Sequence, residues 1–135
     1  MEKLRIYLAG HSEETEYRKE AHQKYDADFD MVDPLLLTWK KLDESNIAKD
    51  CYHIYIVTRD KKLILSSHIV VAYVMKCTWG TCMEIEFAHM NEIPVFLIDP
   101  TKEVRKDSWV KFHINKVFDS IDECFEHMKK NGGKE

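Results

Sequence analysis

The chain has 135 residues, of which 44% are hydrophobic and 33% charged, with 24 acidic and 20 basic side chains and a net charge of -4. That length holds one domain with a substantial core. Acids and bases are intermixed, so the basic footprint of a nucleic-acid binder is missing, while a local pocket for a small anion stays open.

LRIYLAG (Leu4 to Gly10) is a short apolar run ending in glycine, the pattern of a buried first strand. Ser12 stands as an N-cap before Glu13, Glu14 and Glu16, acids placed where a helix dipole favours them. Tyr17, Ala21 and Tyr25 follow at i, i+4 and i+8, one helical stripe. FDMVDP reads as a second strand, stopped by Pro34. Between Lys40 and Ser67 the signals conflict. CYHIYIVT favours strand, yet Ile47, Cys51, Ile54 and Val57 keep near-helical spacing, and the spacing points to helix.

HIVVAYVM is a buried strand, and Gly80 to Asn91 follows as a helix with Ile85, Ala88 and either Met83 or Phe87 toward the core. IPVFLID is another buried strand. VRKDSWVKFH is short and irregular, KVF is a last edge strand, and DSIDECFEHMKK is a closing helix capped by Asp119 or Ser120. The tail, residues 131–135, is expected to fray, which leaves residues 1–130 as a single domain. Strands that are apolar throughout and alternate with helices mark a parallel sheet covered on both faces.

The longest apolar run, Ile64 to Met75, is broken by Ser66, Ser67 and His68 and is too short to span a bilayer. MEKLRIYLAG lacks a signal peptide's cleavage pattern. Cys51, Cys77, Cys82 and Cys124 show no CxxC spacing, so reduced thiols in a cytoplasmic protein are expected. No ligand pair has finger-like spacing, and no metal is expected.

Ligands of an open parallel sheet sit beyond the carboxyl ends of its strands, which nominates three loops: Gly10 to Ser12, Met75 to Thr81, and Asp99 to Val104. The second is the richest. Its TWGT turn brings Thr78, Gly80 and Thr81 to a helix N-terminus, where exposed N–H groups and the dipole suit an anion. GxGxxG and GxxxxGK[ST] are both absent.

Glu84 reads two ways. Thr81-x-x-Glu84 has the spacing of a capping box, and a first-turn carboxylate also reaches the crevice as a nucleophile. Glu86 lies about 200° further round the helix and reads as a solvated or interface residue. Asp60 stands about 12 Å up a helix over Tyr52 to Ser67, near the carboxyl edge of the sheet, or else is a surface acid among Arg59, Lys61 and Lys62. Arg18 is either a phosphate contact from the first helix or a solvated helix residue.

KLRIYLAG, VTRDKKLILSSHIVVAYV and TWGTCMEIEFAHMNEIPVFLID together resemble the nucleoside 2-deoxyribosyltransferase superfamily, which includes nucleoside deoxyribosyltransferases and nucleoside 5′-monophosphate N-glycosidases. The likeness covers most of residues 3–130. It is densest around GTxxEIxxA (Gly80, Thr81, Glu84, Ile85, Ala88), with Asp60 upstream. It implies a flavodoxin-like three-layer sandwich around a five-stranded parallel sheet, a homodimer or higher homo-oligomer, and no cofactor.

The resemblance also implies roles. Glu84 attacks the anomeric carbon, Tyr7 helps position it, and Asp60 sits at the base and sugar end. Thr78 takes the place where the monophosphate hydrolases tend to carry a phosphate-holding serine. Gly10, Gly80 and Thr81 line the substrate. SWVKFH resembles an element of some members that sets Trp109 and His113 over a base; read alone, these are a buried tryptophan and a surface histidine. Three positions depart from the pattern: His11, His68 in place of an aspartate, and Glu86 in place of a glycine.

The implied function is cleavage of the N-glycosidic bond of a nucleoside 5′-monophosphate through a covalent glycosyl-Glu84 intermediate. The alternatives are base exchange by a nucleoside 2-deoxyribosyltransferase, and a nucleotide-binding module without catalysis.

Overall fold

Strands β1 (Arg5–Gly10), β2 (Asp30–Val32), β3 (Ile69–Tyr73), β4 (Val95–Ile98) and β5 (Lys116–Phe118) form one sheet in the order β2-β1-β3-β4-β5. Every pairing is parallel. The computed structural model describes residues 2–36, 47–76 and 78–135; residues 40–46 and Cys77, part of the sequence reading, lie outside them. This strand order is the flavodoxin-like one. The chain reverses direction across the sheet between β1 and β3, and the crevice above that point is where such sheets bind ligands.

Side chains alternate between the two faces of a strand. From one face Ile6, Leu8, Ile69, Val71, Phe96 and Ile98 pack with Tyr17, Ala21 and Tyr25 of α1 (Thr15–Tyr25). Phe125 and Met128 of the closing helix α5 (Ile121–Asn131) complete that cluster. From the other face Tyr7, Ala9, Val70, Ala72, Val95 and Leu97 meet Ile64 of α2 (Tyr52–Leu65) and Ile85 and Ala88 of α3 (Trp79–Met90). Three layers result, as the apolar strands require. The alternation along β1 also aims Tyr7 at the α2/α3 side.

Several local expectations are corrected. Ser12 does not cap α1. The helix starts at Thr15, and the turn before it is held by His11, whose Nδ1 accepts the Glu13 N–H at 3.0 Å and whose carbonyl accepts the Glu14 N–H at 2.9 Å. The helix expected from the spacing of Ile54 and Val57 does form, with Ile64 as its buried residue. Met83 turns outward, while Phe87 packs against the core.

VRKDSWVKFH is ordered. A 3-10 turn over Val104–Lys106 leads to α4 (Ser108–His113), capped by the Asp107 carboxylate, which accepts the N–H groups of Trp109 and Val110 at 2.9 and 3.1 Å. An aspartate ahead of a short helix was the missed signal. Ser120 caps α5, accepting the Glu123 N–H at 3.1 Å. Residues 131–135 carry bonds of their own: the Gly132 N–H reaches the Met128 carbonyl at 2.8 Å, and His127 Nε2 lies 2.7 Å from the Lys134 carbonyl oxygen.

Gly10 closes β1 with φ +154°, and a Cβ there would stand 3.0 Å from the Tyr73 carbonyl oxygen. Backbone conformation and close approach both exclude a side chain. Gly10→Ala is therefore expected to cost about 1–3 kcal/mol. Urea unfolding checks this as a lower midpoint with an unchanged slope.

Candidate active site

Tyr7 sits in the middle of β1 with its ring fully buried. Its hydroxyl donates to Oε2 of Glu84 on α3. Thr78, in extended conformation, is the N-cap residue of that helix, and Glu84 falls in the second turn rather than the first. The capping-box reading fails on this geometry. Thr81 lies inside the helix with its hydroxyl 3.0 Å from that of Thr78, and no side chain caps the helix start. The Glu84 carboxylate is spent on Tyr7, not on the backbone.

Loss of surrounding water pushes Glu84 up to about 7 from an ordinary 4.5; the Tyr7 hydrogen bond opposes the rise, the charge of Asp60 adds to it, and Arg18 draws it down. Burial, followed by the charges of Glu84 and Asp60, holds Tyr7 well above the usual tyrosine range, so it remains a donor at any working pH. Asp60 faces Glu84 from α2. Burial raises it too, against hydrogen bonds from Arg59 Nε at 3.0 Å and Nη2 at 2.7 Å.

A cleft of about 1370 Å³ opens over the β1/β3 crossing, lined by Gly10, Arg18, Asp60, Gly80 and Glu84 among others. The structure thus gathers five nominated residues around one space, with Tyr7 bonded to Glu84. A Cβ on Gly80 would meet nothing within 4 Å, so this glycine leaves room in the cleft rather than serving the backbone. Thr78 and Thr81 stand at the head of α3, Thr81 buried. Apolar lining comes from Leu35, Ile56, Val57, Met83 and Met90.

Trp109 and His113 are not brought to Glu84; neither lines the cleft. Trp109 is 79% exposed rather than buried, and its ring stacks on His113. His113 places Nδ1 2.6 Å from the Trp109 carbonyl oxygen and pairs through Nε2 with Glu86. Glu86 therefore holds α4 against α3 at the position where the resemblance expects glycine. His68 lies at the opposite, amino end of β3, where its Nδ1 accepts the Arg5 N–H at 2.9 Å. Its departure from the pattern is accounted for away from the cleft.

Arg18 is not a solvated helix residue. It is buried, and its guanidinium reaches carbonyls of the β1–α1 turn. The third candidate loop closes on itself: the Asp99 carboxylate accepts Thr101 Oγ1 at 2.7 Å and Arg105 Nε at 3.0 Å, and both contacts keep Asp99 below the usual carboxylate range against the effect of its burial. Sequence reasoning missed Asp33 and His22. Both line the cleft, Asp33 being buried at the carboxyl end of β2 with Oδ2 3.1 Å from His22 Nε2. An acid just past a strand end was the available signal. Among the described residues no group of three or more histidine, cysteine, aspartate or glutamate side chains is placed to hold a metal ion, and no helix is long and apolar enough to cross a membrane.

The sequence matches no family model and no curated protein. Solved structures do match. A 2-deoxyribosyltransferase from the psychrotolerant bacterium Bacillus psychrosaccharolyticus superposes with a TM-score of 0.74 at 18% identity, over 89% of each chain. A conserved protein from Enterococcus faecalis V583 gives 0.67 at 18% identity, over 95% of this chain and 98% of that one. A 2-deoxyribosyltransferase from Leishmania mexicana gives 0.59 at 17% identity, with the same coverage. The chain has the α/β fold of these 2-deoxyribosyltransferases, with its five strands all parallel.

The raised Glu84 carboxyl has a consequence for stability. Between about pH 4.5 and 7 the unfolded chain releases a proton that the folded chain keeps, so Glu84 lowers stability as pH rises through that window. Glu84→Gln removes the effect. The variant is expected to be more stable than the parent at pH 8, by about 1–3 kcal/mol, with the difference vanishing at pH 4 in paired urea titrations.

Proposed function

We propose that this chain belongs to the nucleoside 2-deoxyribosyltransferase superfamily and cleaves the N-glycosidic bond of a nucleoside 5′-monophosphate. The Tyr7–Glu84 pair carries the reading: a carboxylate, oriented by a buried hydroxyl, at the ligand-binding crossing of a sheet shared with 2-deoxyribosyltransferases. The GTxxEIxxA pattern supports it, with Glu84 where the resemblance expects the nucleophile.

Tyr7 holds Oε2, and among the described residues Oε1 has no hydrogen bond. Ionised Glu84 attacks C1′ through Oε1. The bond from C1′ to the base nitrogen breaks, and its electron pair leaves with the base. Asp60 holds the departing base, which takes its proton from water. A glycosyl ester on Glu84 results. The hydroxide left by that water attacks C1′, the ester bond breaks, and Glu84 returns to carboxylate. The products are free base and sugar phosphate.

The phosphate rests on the first-turn N–H groups of α3, with the Thr78 hydroxyl beside it, the buried Thr81 hydroxyl 3.0 Å behind that one, and Gly80 leaving space. The reading needs no metal or organic cofactor. Base exchange, in which a second free base takes the place of water, is favoured by the names of the fold neighbours. The setting is the cytoplasm. A second copy of the chain covers the apolar face made by Trp79, Met83 and Met90 of α3 with Trp109 and Phe112 of α4, all strongly exposed.

Chromatography of ribo- and deoxyribonucleotides incubated with the protein tests the reaction. Free base is expected, and Glu84→Ala should lower its release by about a thousandfold or more while the chain stays folded. Full activity in Glu84→Ala overturns the mechanism; ligands that raise the melting temperature and are never consumed point to a binding module. Added free base separates exchange from hydrolysis. Because the nucleophile must be ionised, kcat/KM should fall as pH drops below about 7. Tyr7→Phe removes a hydrogen bond that favours the charged form, so its acidic limb is expected at higher pH. Thr78→Asp should raise KM for a monophosphate by about tenfold or more, since a carboxylate there repels the phosphate.

A further inference from the structure

Four backbone carbonyls take up the terminal nitrogens of the Arg18 guanidinium. Nη1 donates to the carbonyls of His11 at 3.1 Å and Glu14 at 3.3 Å, and Nη2 to those of Gly10 at 3.2 Å and Leu8 at 3.4 Å. Nε lies 3.3 Å from Asp33 Oδ1, with both side chains at most 5% exposed. Asp33 is held in turn. Its Oδ1 accepts the Leu35 N–H at 3.0 Å, and its Oδ2 lies 3.1 Å from His22 Nε2. His22 Nδ1 lies 2.8 Å from Asp26. Arg18, Asp33, His22 and Asp26 thus form a linked row along one wall of the cleft that Glu84 lines.

So many internal bonds leave Arg18 little with which to grip a phosphate, which is the role its place near the first loop suggests. Its charge nevertheless acts at the cleft. A buried charge is poorly screened, and its field extends well beyond hydrogen-bond range. The groups that face Glu84 are Tyr7 from β1, Asp60 from α2 with Arg59 bound to it, and Arg18 from α1. Arg59 is paired at 2.7 Å with Asp60 and Arg18 at 3.3 Å with Asp33, and Arg18 shares with Glu84 the wall of one cleft.

We infer that Arg18 and Asp33 are a positioning pair for Glu84: a guanidinium locked into the cleft wall favours the ionised carboxylate, and the aspartate behind it limits how strongly. The inference rests on the proposed reaction for its meaning, since it concerns the nucleophile of that reaction. It assigns Arg18 to electrostatics instead of substrate contact. It also gives a role to Asp33, which the mechanism leaves unused.

The test is a carboxyl-carbon NMR titration of Glu84 in protein labelled at glutamate, without substrate, for the parent chain, Arg18→Met and Asp33→Asn. The Glu84 midpoint should rise by about one unit in Arg18→Met and fall by about half a unit in Asp33→Asn. Mere loosening of the β1–α1 turn would move both variants in the same direction, so shifts of the same sign, or none, overturn the inference. If Arg18→Met does not fold, Asp33→Asn decides: a lower midpoint supports the pair, and an unchanged or higher one refutes it. The two readings fail separately. A chain that releases no base yet shows the opposed shifts loses the reaction and keeps the pair. One that releases base with unmoved midpoints keeps the reaction and loses the pair.

Discussion

A tyrosine hydroxyl buried in the sheet, bonded to a glutamate carboxylate on the neighbouring helix, is the contact on which the site depends. It joins β1 to α3 across the crossing point of the fold. For the contact to form, β1 must turn Tyr7 toward the α2/α3 layer, and α3 must begin at the carboxyl end of β3. Both conditions follow from strand alternation and the β2-β1-β3-β4-β5 order. Among the described residues, the contact also leaves Oε1 of the carboxylate without a hydrogen bond. An oriented, half-satisfied carboxylate at the mouth of a cleft is poorly used as structure and well used as chemistry.

The electrostatics work in opposed steps. Withdrawal of water makes the Glu84 charge costly, Asp60 increases the cost, and Tyr7 and Arg18 reduce it. The outcome near 7 places the carboxyl close to neutrality, so the ionised nucleophile is present without being heavily solvated. Supporting pairs hold these groups still: Arg59 on Asp60, Asp33 on Arg18, and His22 on Asp33. Other pairs fasten one element to another. Asp99 and Arg105 fasten the loop after β4, and His113 with Glu86 fastens α4 to α3.

The misread places share one cause. Ser12 is a good capping residue, but the backbone excursion at Gly10 gives the turn to His11. Arg18 reads as solvated because one-dimensional spacing cannot show that four carbonyls and an aspartate converge on it. Thr81 and Glu84 fit a cap on spacing alone; the true helix start at Trp79 removes it.

Apolar strands, the glycine that closes β1, the core positions Ile85 and Ala88, and the identity of Tyr7, Asp60 and Glu84 as a candidate set were legible in the linear chain. Burial pattern and residue chemistry are local properties that the chain carries along its length. Which of those acids share a cleft, which cations are already committed, and that Asp33 belongs among them became clear only on folding. Distances between residues on separate elements, and the water lost between them, do not exist until the layers pack. The same packing left Trp109 and His113 outside the cleft, though the family resemblance had set them over a base.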